Sequence, residues 1–381
     1  MKIATYLAVA ICAVAFTQEA PAQTIVRIVG STAYRSQMNT ALRNLIAGTS
    51  GAGYGYVGSS ANGANQAIYK GTVSSQSVIY LTSLAGSTGG IQIVVQGLNS
   101  NFLLPSATTS VGGTASLPAG TDSQPADCNM ADTTQAATQF TSPLLSCTKV
   151  GVLSFEWITN EGAPAGLTNM TPQLARALYA SGSASLAMFT GVPGDDVRTV
   201  YAVGRDFDSG TRSATFAEMG ISNIDPVNQY QLTISGGEIT AATIWPPYTL
   251  LGLPVVEGNG GYNSGGTLAT AFGNPSNNDP GSTDDNVYVA YVGTSDSANA
   301  VAAGARALTY NGVPYSIQAI QEGSYAYWNY QYVCYRATLT GPKKTLADAL
   351  AVRIRDFDAL IKLNTMRVVR NNDGGVITQD Y

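Results

Sequence analysis

One local pattern recurs along the chain and limits its fold more than any other feature: a short β-type apolar run, then a polar turn, then a helix. Residues 25–29 form a β-type run, apolar and β-branched except for Arg27, Gly30-Ser31-Thr32 follows, and Met38, Ala41, Leu42, Leu45 and Ile46 then recur at helical spacing. Residues 54–57 read as a second strand, 58–62 as a second polar turn and 64–69 as a short helix. A third unit runs from a strand at 200–203 through Arg205 to Thr211 and is centred on Ser209. Repeated strand, turn and helix predict an α/β fold with much parallel pairing, in which ligands gather at the carboxyl ends of strands.

The segment 74–126 breaks that rhythm. Strand-like runs at 78–82 and 91–96 flank a Gly-Ser turn, and a stretch rich in Pro, Gly, Ser and Thr follows, which predicts an inserted hairpin and surface loop. Further strands are expected at 150–158 and 287–293, and helices at 173–179 and at 267–272, the latter after a glycine-rich turn at 258–266. A terminal helix is expected over 346–361, with Leu346, Leu350, Ile354, Phe357 and Ile361 on one face. The aromatic run Tyr325, Tyr327, Trp328, Tyr330, Tyr332 and Tyr335 is expected to pack a sheet edge with its hydroxyls in water.

At the amino end, Lys2, an apolar run at 3–16 and Ala20-Pro21-Ala22 have the layout of an export signal cleaved before Gln23. The run is shorter than the roughly 20 apolar residues of a membrane span. Lipid attachment at Cys12 is disfavoured because the preceding Ile11 is bulky. The remaining length suits two domains. Only 11% of residues are charged and the formal net charge is -5, so the basic footprint of a nucleic-acid partner is missing. The chain has no histidine, which removes a Ser-His-Asp triad, a Cys-His pair and a His-ligated zinc site. Carboxylate-only hydrolysis stays open in principle. The acid pairs Asp195-Asp196 and Asp284-Asp285, however, sit in turn-like contexts that suit solvated loops. Of the four cysteines, Cys12 would leave with the signal. A Cys128–Cys147 bridge and a reduced, buried pair are equally open, and Cys334 reads as a small core residue.

Gly53 to Gly58 matches Gly-x-Gly-x-x-Gly in letters only, because it follows a helix and enters a strand, the reverse of a dinucleotide site. The polar turns at Ser31-Thr32, at Ala61-Asn62-Gly63 and at Asp208-Ser209-Gly210-Thr211 can each present backbone N–H groups to an anion. Taken singly, each is explained by helix capping, since Ser, Thr, Asp and Asn are the favoured caps. Three on one scaffold weaken that explanation. Arg205 stands four residues before Ser209, where its planar guanidinium could either grip a tetrahedral oxyanion or form a surface salt bridge, with Asp206 or Asp208 to orient it.

The segment Arg205-Asp206-Phe207-Asp208-Ser209-Gly210-Thr211 resembles the Arg-x-x-x-Ser-Gly-Thr segment of periplasmic phosphate-binding proteins of ABC uptake transporters. Gly30-Ser31-Thr32-Ala33 is similar to that family's first ligand turn, and 58–72 to its second. The segment 127–132 resembles one in which an aspartate closes a strand. Looser similarity continues through 150–158, 258–266, 290–293 and 325–335.

The resemblance implies an α/β, two-lobed periplasmic-binding-protein-like fold, each lobe a mixed sheet flanked by helices, with the ligand cleft between lobes. It implies lobe 1 at 23–153 plus 291–381, with the insertion at about 74–126, and lobe 2 at 154–290. It implies a non-enzymatic, exported, monomeric protein that captures phosphate or a related oxyanion and serves an ABC transporter permease, with no cofactor. Carried over residue by residue, Thr32, Ala33 and Asn62 contact the anion from one side, and Arg205, Ser209, Gly210 and Thr211 from the other. Asp132 tests whether the ligand carries a proton, because a carboxylate can only accept. Asn62 stands where the family has a serine, and Ala33 where it usually has a larger aromatic residue. These departures motivate the alternative of a surface or matrix protein that kept the fold without tight anion binding.

Overall fold

The computed structural model describes residues 23–273 and 286–380, so the expected signal at 1–22, Cys12 and the acid pair Asp284-Asp285 lie outside the described residues. Strand β1 (Thr24–Gly30) feeds helix α1 (Arg35–Ile46), whose Met38, Ala41, Leu42 and Ile46 are buried as their spacing predicts. Next come β2 (Gly53–Tyr56), β3 (Gln66–Val73), β4 (Gln76–Leu84), α2 (Ser87–Gln96), β5 (Asn99–Phe102), β6 (Asp122–Pro125) and β7 (Cys128–Ala131). The long strand β8 (Leu145–Thr159) is followed by α3 (Pro172–Ser181), β9 (Ser183–Ser185), β10 (Thr199–Ala202) and α4 (Gly210–Met219). The remaining principal elements are α5 (Gly265–Gly273), β11 (Val287–Gly293), α6 (Thr294–Ala302), β12 (Arg306–Tyr310), β13 (Trp328–Arg336) and α7 (Gly341–Arg353).

The main sheet runs β9-β10-β11-β8-β13-β7-β1-β4-β3-β2, with β12 attached to β8. It is mixed: β1 lies parallel to β4 and β7, and β10 to β11, while β8 is antiparallel to β11, β12 and β13. The 15 residues of β8 serve both halves of the sheet. Leu145 to Ser154 pair with β13, and Phe155 to Thr159 pair with β11. The chain thus passes from one half to the other within a single strand, and no loop intervenes.

Two expected elements exchange type. Residues 64–69 do not form a helix, because Gln66 onward is β3, hairpinned to β2 and β4. Residues 91–96 belong to helix α2, whose residues 87–95 are all buried. A helix buried on every side has no amphipathic period, so its Ile and Val content reads as a strand. The true second strand-turn-helix unit is therefore β4, Ala85-Gly86 and α2. The expected insertion shrinks accordingly, since β4 is held between β1 and β3 and only the β5–β6 hairpin and its long loop lie outside the main sheet, the loop bonding back to β2 at Tyr54 and Tyr56. The terminal helix ends in a π-turn at Ile354–Asp358, leaving Phe357 62% exposed, while Ile361 is buried beyond it with its carbonyl accepting from Val152 N–H at 3.0 Å.

The aromatic run is interior. β13 lies between β8 and β7, the Tyr325 hydroxyl donates to Phe155 O at 2.7 Å, and the Tyr327 hydroxyl shares a hydrogen bond with the Thr215 hydroxyl at 2.6 Å. Tyr327 also stacks on Trp157, their centroids 5.6 Å apart, within an aromatic cluster beneath α4 that includes Tyr179, Phe216 and Tyr291. No helix among the described residues is long and apolar enough to cross a membrane.

The disulfide joins Cys147 to Cys334, and Cys128 is free and buried. This corrects the Cys128–Cys147 pairing, while Cys334 is the buried core residue the sequence suggests and is also the partner of Cys147. The register of β8 against β13 places Cys147 opposite Cys334, whereas Cys128 on β7 faces Tyr335. Digestion without reductant is expected to release one linked pair of peptides carrying Cys147 and Cys334. Replacing both with alanine is expected to lower the unfolding free energy in urea by about 2–4 kcal/mol.

Candidate functional site

The site forms where the amino ends of α2 and α4 meet. Ser209 caps α4, its hydroxyl oxygen accepting from Arg212 N–H at 3.2 Å. From the facing half, Gly89 N–H donates to Asp208 O at 3.0 Å, and the Thr88 and Ser213 hydroxyls share a bond of 2.8 Å. Beside them, at the end of β7, Asp132 is fully buried. Its carboxylate accepts a short hydrogen bond from the Ser87 hydroxyl and another from the Thr211 hydroxyl at 3.4 Å, so one acid collects donors from both helices. Gly210 is required for this approach. A β-carbon there would stand 1.9 Å from Asp132 Oδ1 and 2.5 Å from Ser87 Oγ.

Arg205 leaves the loop after β10 and is 1% exposed. Its Nη2 donates to Thr32 Oγ1 at 3.2 Å and to Asn263 O at 3.1 Å, and its Nε to Tyr262 O at 2.9 Å. Arg205 is buried and makes no salt bridge among the described residues. Two backbone carbonyls and the Tyr291 hydroxyl, which accepts from Arg205 N–H at 3.2 Å, orient the residue in place of Asp206 or Asp208. Thr32 and Ala33 lie after β1 on the facing half, and both line a cavity of about 300 Å³ with Arg35, Asn62 and Asp296.

The structure therefore brings Thr32, Asp132, Arg205, Ser209, Gly210 and Thr211 together, with Ala33 beside them. Asn62 stands apart. It is exposed at the cavity rim, and its side-chain oxygen accepts from the Arg43 guanidinium and from Thr40 Oγ1 at 3.4 Å. Because a strand follows it, position 62 lies at no helix amino end. Ser87 and Thr88 stand at the amino end of the helix in the second strand-turn-helix unit. The sequence does carry a signal for them, since Gly86-Ser87-Thr88 repeats Gly30-Ser31-Thr32 after an apolar strand. Asp195, of the remaining acid pair, accepts from Thr190 Oγ1 at 2.7 Å in a short 3-10 turn.

Burial dominates the electrostatics. It raises the Asp132 carboxyl, against the opposing Ser87 hydrogen bond. Asp206 and Asp208 are hydrogen-bonded carboxyls in the same turn, and burial followed by the charge of Asp208 pushes Asp206 well above the usual carboxylate range. The pair thus retains a proton. Arg212, wholly buried, is lowered by desolvation, and its Nη atoms donate to Asn259 O and Oδ1, each at 2.7 Å.

No protein-family model matches the sequence, and no curated protein aligns with it. Among solved structures, a candidate phosphate ABC transporter substrate-binding protein from Clostridium perfringens, with bound phosphate, superposes at TM-score 0.51 and 15% identity, over 89% of this chain and all of that one. The chain has the two-lobed α/β fold of that protein. An ABC-type phosphate transport receptor from Vibrio cholerae aligns at TM-score 0.44 and 14% identity, over 86% of this chain and 93% of the receptor. The buried acids sit at the contact between halves, Asp208 against Gly86 and Gly89 and Asp132 against Gly210.

A carboxyl raised on folding binds its proton more tightly in the native state. Its stabilisation is complete below the unfolded value near 3.8 and is lost as pH rises through the raised value. The stability of the wild type relative to Asp206→Asn, from urea unfolding at a series of pH values, is therefore expected to fall as pH increases from about 4. A difference that stays constant with pH would contradict the buried, proton-retaining pair.

Proposed function

We propose that the protein is an exported solute-binding protein that captures an oxyanion, phosphate foremost, between its lobes. The reading is carried by one observation: Arg205 of one half reaches Thr32 of the other beside a buried Asp132 that collects hydroxyls from both. The lobes divide as 23–153 plus 291–381 and 154–290, with β12 returning to pair with the second half of β8. Hinge closure over the strands that join them buries the ligand.

In this reading the amino ends of α2 and α4 offer N–H groups to the anion, and Arg205 neutralises its charge. Ser87 supplies the hydroxyl of the second turn. Asp132 accepts a proton that hydrogen phosphate has and sulfate lacks. No bond is made or broken, and the protein is not an enzyme. The phosphate named for the Clostridium perfringens protein, at the same fold, supports the ligand class. A monomer presenting its ligand to an ABC transporter permease follows from that role.

A second reading, a surface or matrix protein that kept the fold, is favoured by the mutual satisfaction of the site. Arg205 is engaged by Thr32, Tyr262 and Asn263, and Asp132 by Ser87 and Thr211.

Calorimetric titration of protein refolded free of anion separates the two. Saturable phosphate binding is expected, weakened by about two orders of magnitude in Arg205→Ala. Ser87→Ala should also weaken it, Asn62→Ala should not, and Asp132→Asn should narrow the gap between phosphate and sulfate. Folded protein that gives no heat with either anion would overturn the phosphate reading and leave another ligand or the second reading.

A further inference from the structure

A second cavity, of about 590 Å³, opens on the other side of the Arg205–Ser209 turn, and its lining includes Asp206, Gln231, Trp245, Tyr248, Leu250 and Tyr262. This size is ordinary for a small-molecule site. Its walls are aromatic. The Trp245 and Tyr262 rings meet edge to face at 5.6 Å and 86°. Gly260 lets Trp245 and Tyr248 close in, since a β-carbon there would lie 2.8 Å from Tyr248 Cε1 and 2.9 Å from Trp245 Cβ.

Two polar atoms in this lining are buried without a hydrogen-bond partner, Asp206 Oδ1 and Trp245 Nε1. Asp206 is only 5% exposed, so its oxygen lacks both protein and bulk water. Unpaired buried polar atoms are uncommon in folded proteins, and each calls for a partner. Here one is an acceptor and the other a donor. Gln231, Asn263 and Thr267 contribute amide and hydroxyl groups to the same lining.

We infer that this cavity is a carbohydrate subsite, in which a sugar ring lies against Trp245, Tyr248 and Tyr262 while its hydroxyls donate to Asp206 Oδ1 and accept from Trp245 Nε1. A sugar hydroxyl does both, and the C–H faces of the ring match aromatic surface. A cation, the other usual guest of aromatic walls, is opposed by charge. Arg205 and Arg212 both act on Asp206, which shares its proton with Asp208. Burial and then the field of Asp206 push the Tyr248 phenol up to about 12, so it stays a neutral hydroxyl beside the ring. The subsite adjoins the anion contacts, since the Tyr262 and Asn263 carbonyls hold Arg205, but its ring contacts at Trp245 and Tyr248 lie apart from them.

The test is tryptophan fluorescence and calorimetric titration of the full protein with glucose, galactose, mannose and N-acetylglucosamine, with cyclohexanol as an apolar ring of similar size. At least one sugar is expected to saturate at millimolar concentration and to bind about tenfold more tightly than cyclohexanol. Trp245→Leu, or Tyr248→Leu should the first variant not fold, is expected to weaken that sugar about tenfold and leave phosphate titration unchanged. No saturation by any of the four sugars, equal binding of cyclohexanol, or sugar binding untouched by the folded variants would overturn the assignment.

Discussion

The contact between Gly210 and Asp132 is the constraint on which the meeting of the two halves depends. A buried carboxyl must find hydrogen-bond donors or keep its proton, and Asp132 finds hydroxyls at the ends of two helices separated by more than a hundred residues in the chain. Both helices must come within touching distance of one acid, and only a residue without a side chain can stand at the first position of α4. Gly86 shows the same logic on the facing helix, where a β-carbon would lie 2.3 Å from Asp208 O. Much of the chain's glycine therefore lets backbone close over polar groups, a use distinct from turning.

β8 sets how the halves are joined. A loop would let the two parts of the sheet drift, but β8 is paired throughout, with β13 as far as Ser154 and with β11 from Phe155, so the one change of partner along it falls between those two residues. The disulfide fastens β8 to β13 at the end farthest from that change. Beneath the site, Trp157 and Tyr291 lie on β8 and β11, and Tyr327 precedes β13; their rings pack in contact. The floor of the site is thus made from β8, which joins the halves, together with β11 and the residue that leads into β13.

How much of this was legible in the sequence follows from the range of the interactions involved. The turn from Arg205 to Thr211 is decided locally, by a cap and a helix of good local register, and it stands where the sequence places it. The second turn was misplaced by one unit, because α2 is buried all round and its Ile-Gln-Ile-Val-Val run carries no helical stripe, while Gln66 to Val73 becomes a strand through pairing with neighbours on both sides. That exchange put Asn62 at an expected helix amino end, where the structure has Ser87. The Cys147–Cys334 bond depends on a register between strands 187 residues apart, and the interior position of β13 on the final sheet order. Neither leaves a trace in local spacing.

The turn from Arg205 to Ser209 divides its own charges between two faces. The Arg205 side chain points to Thr32 in the facing half, while the next residue, Asp206, lines the aromatic cavity. Between them the Arg205 carbonyl accepts from Arg212 Nη1 at 3.2 Å and from Gln229 Nε2 at 3.1 Å, which holds the backbone still. A rigid turn cannot move one of these side chains far without the other. A donor meeting Asp206 changes how the Asp206–Asp208 pair holds its proton, and Arg205 lies within the field of that pair. Any coupling so produced is reciprocal, since linkage requires each ligand to alter the other's affinity by the same factor. The sequence Arg-Asp-x-Asp-Ser thus does more than present an arginine: it places a cation and a proton-sharing acid pair back to back on one fixed loop.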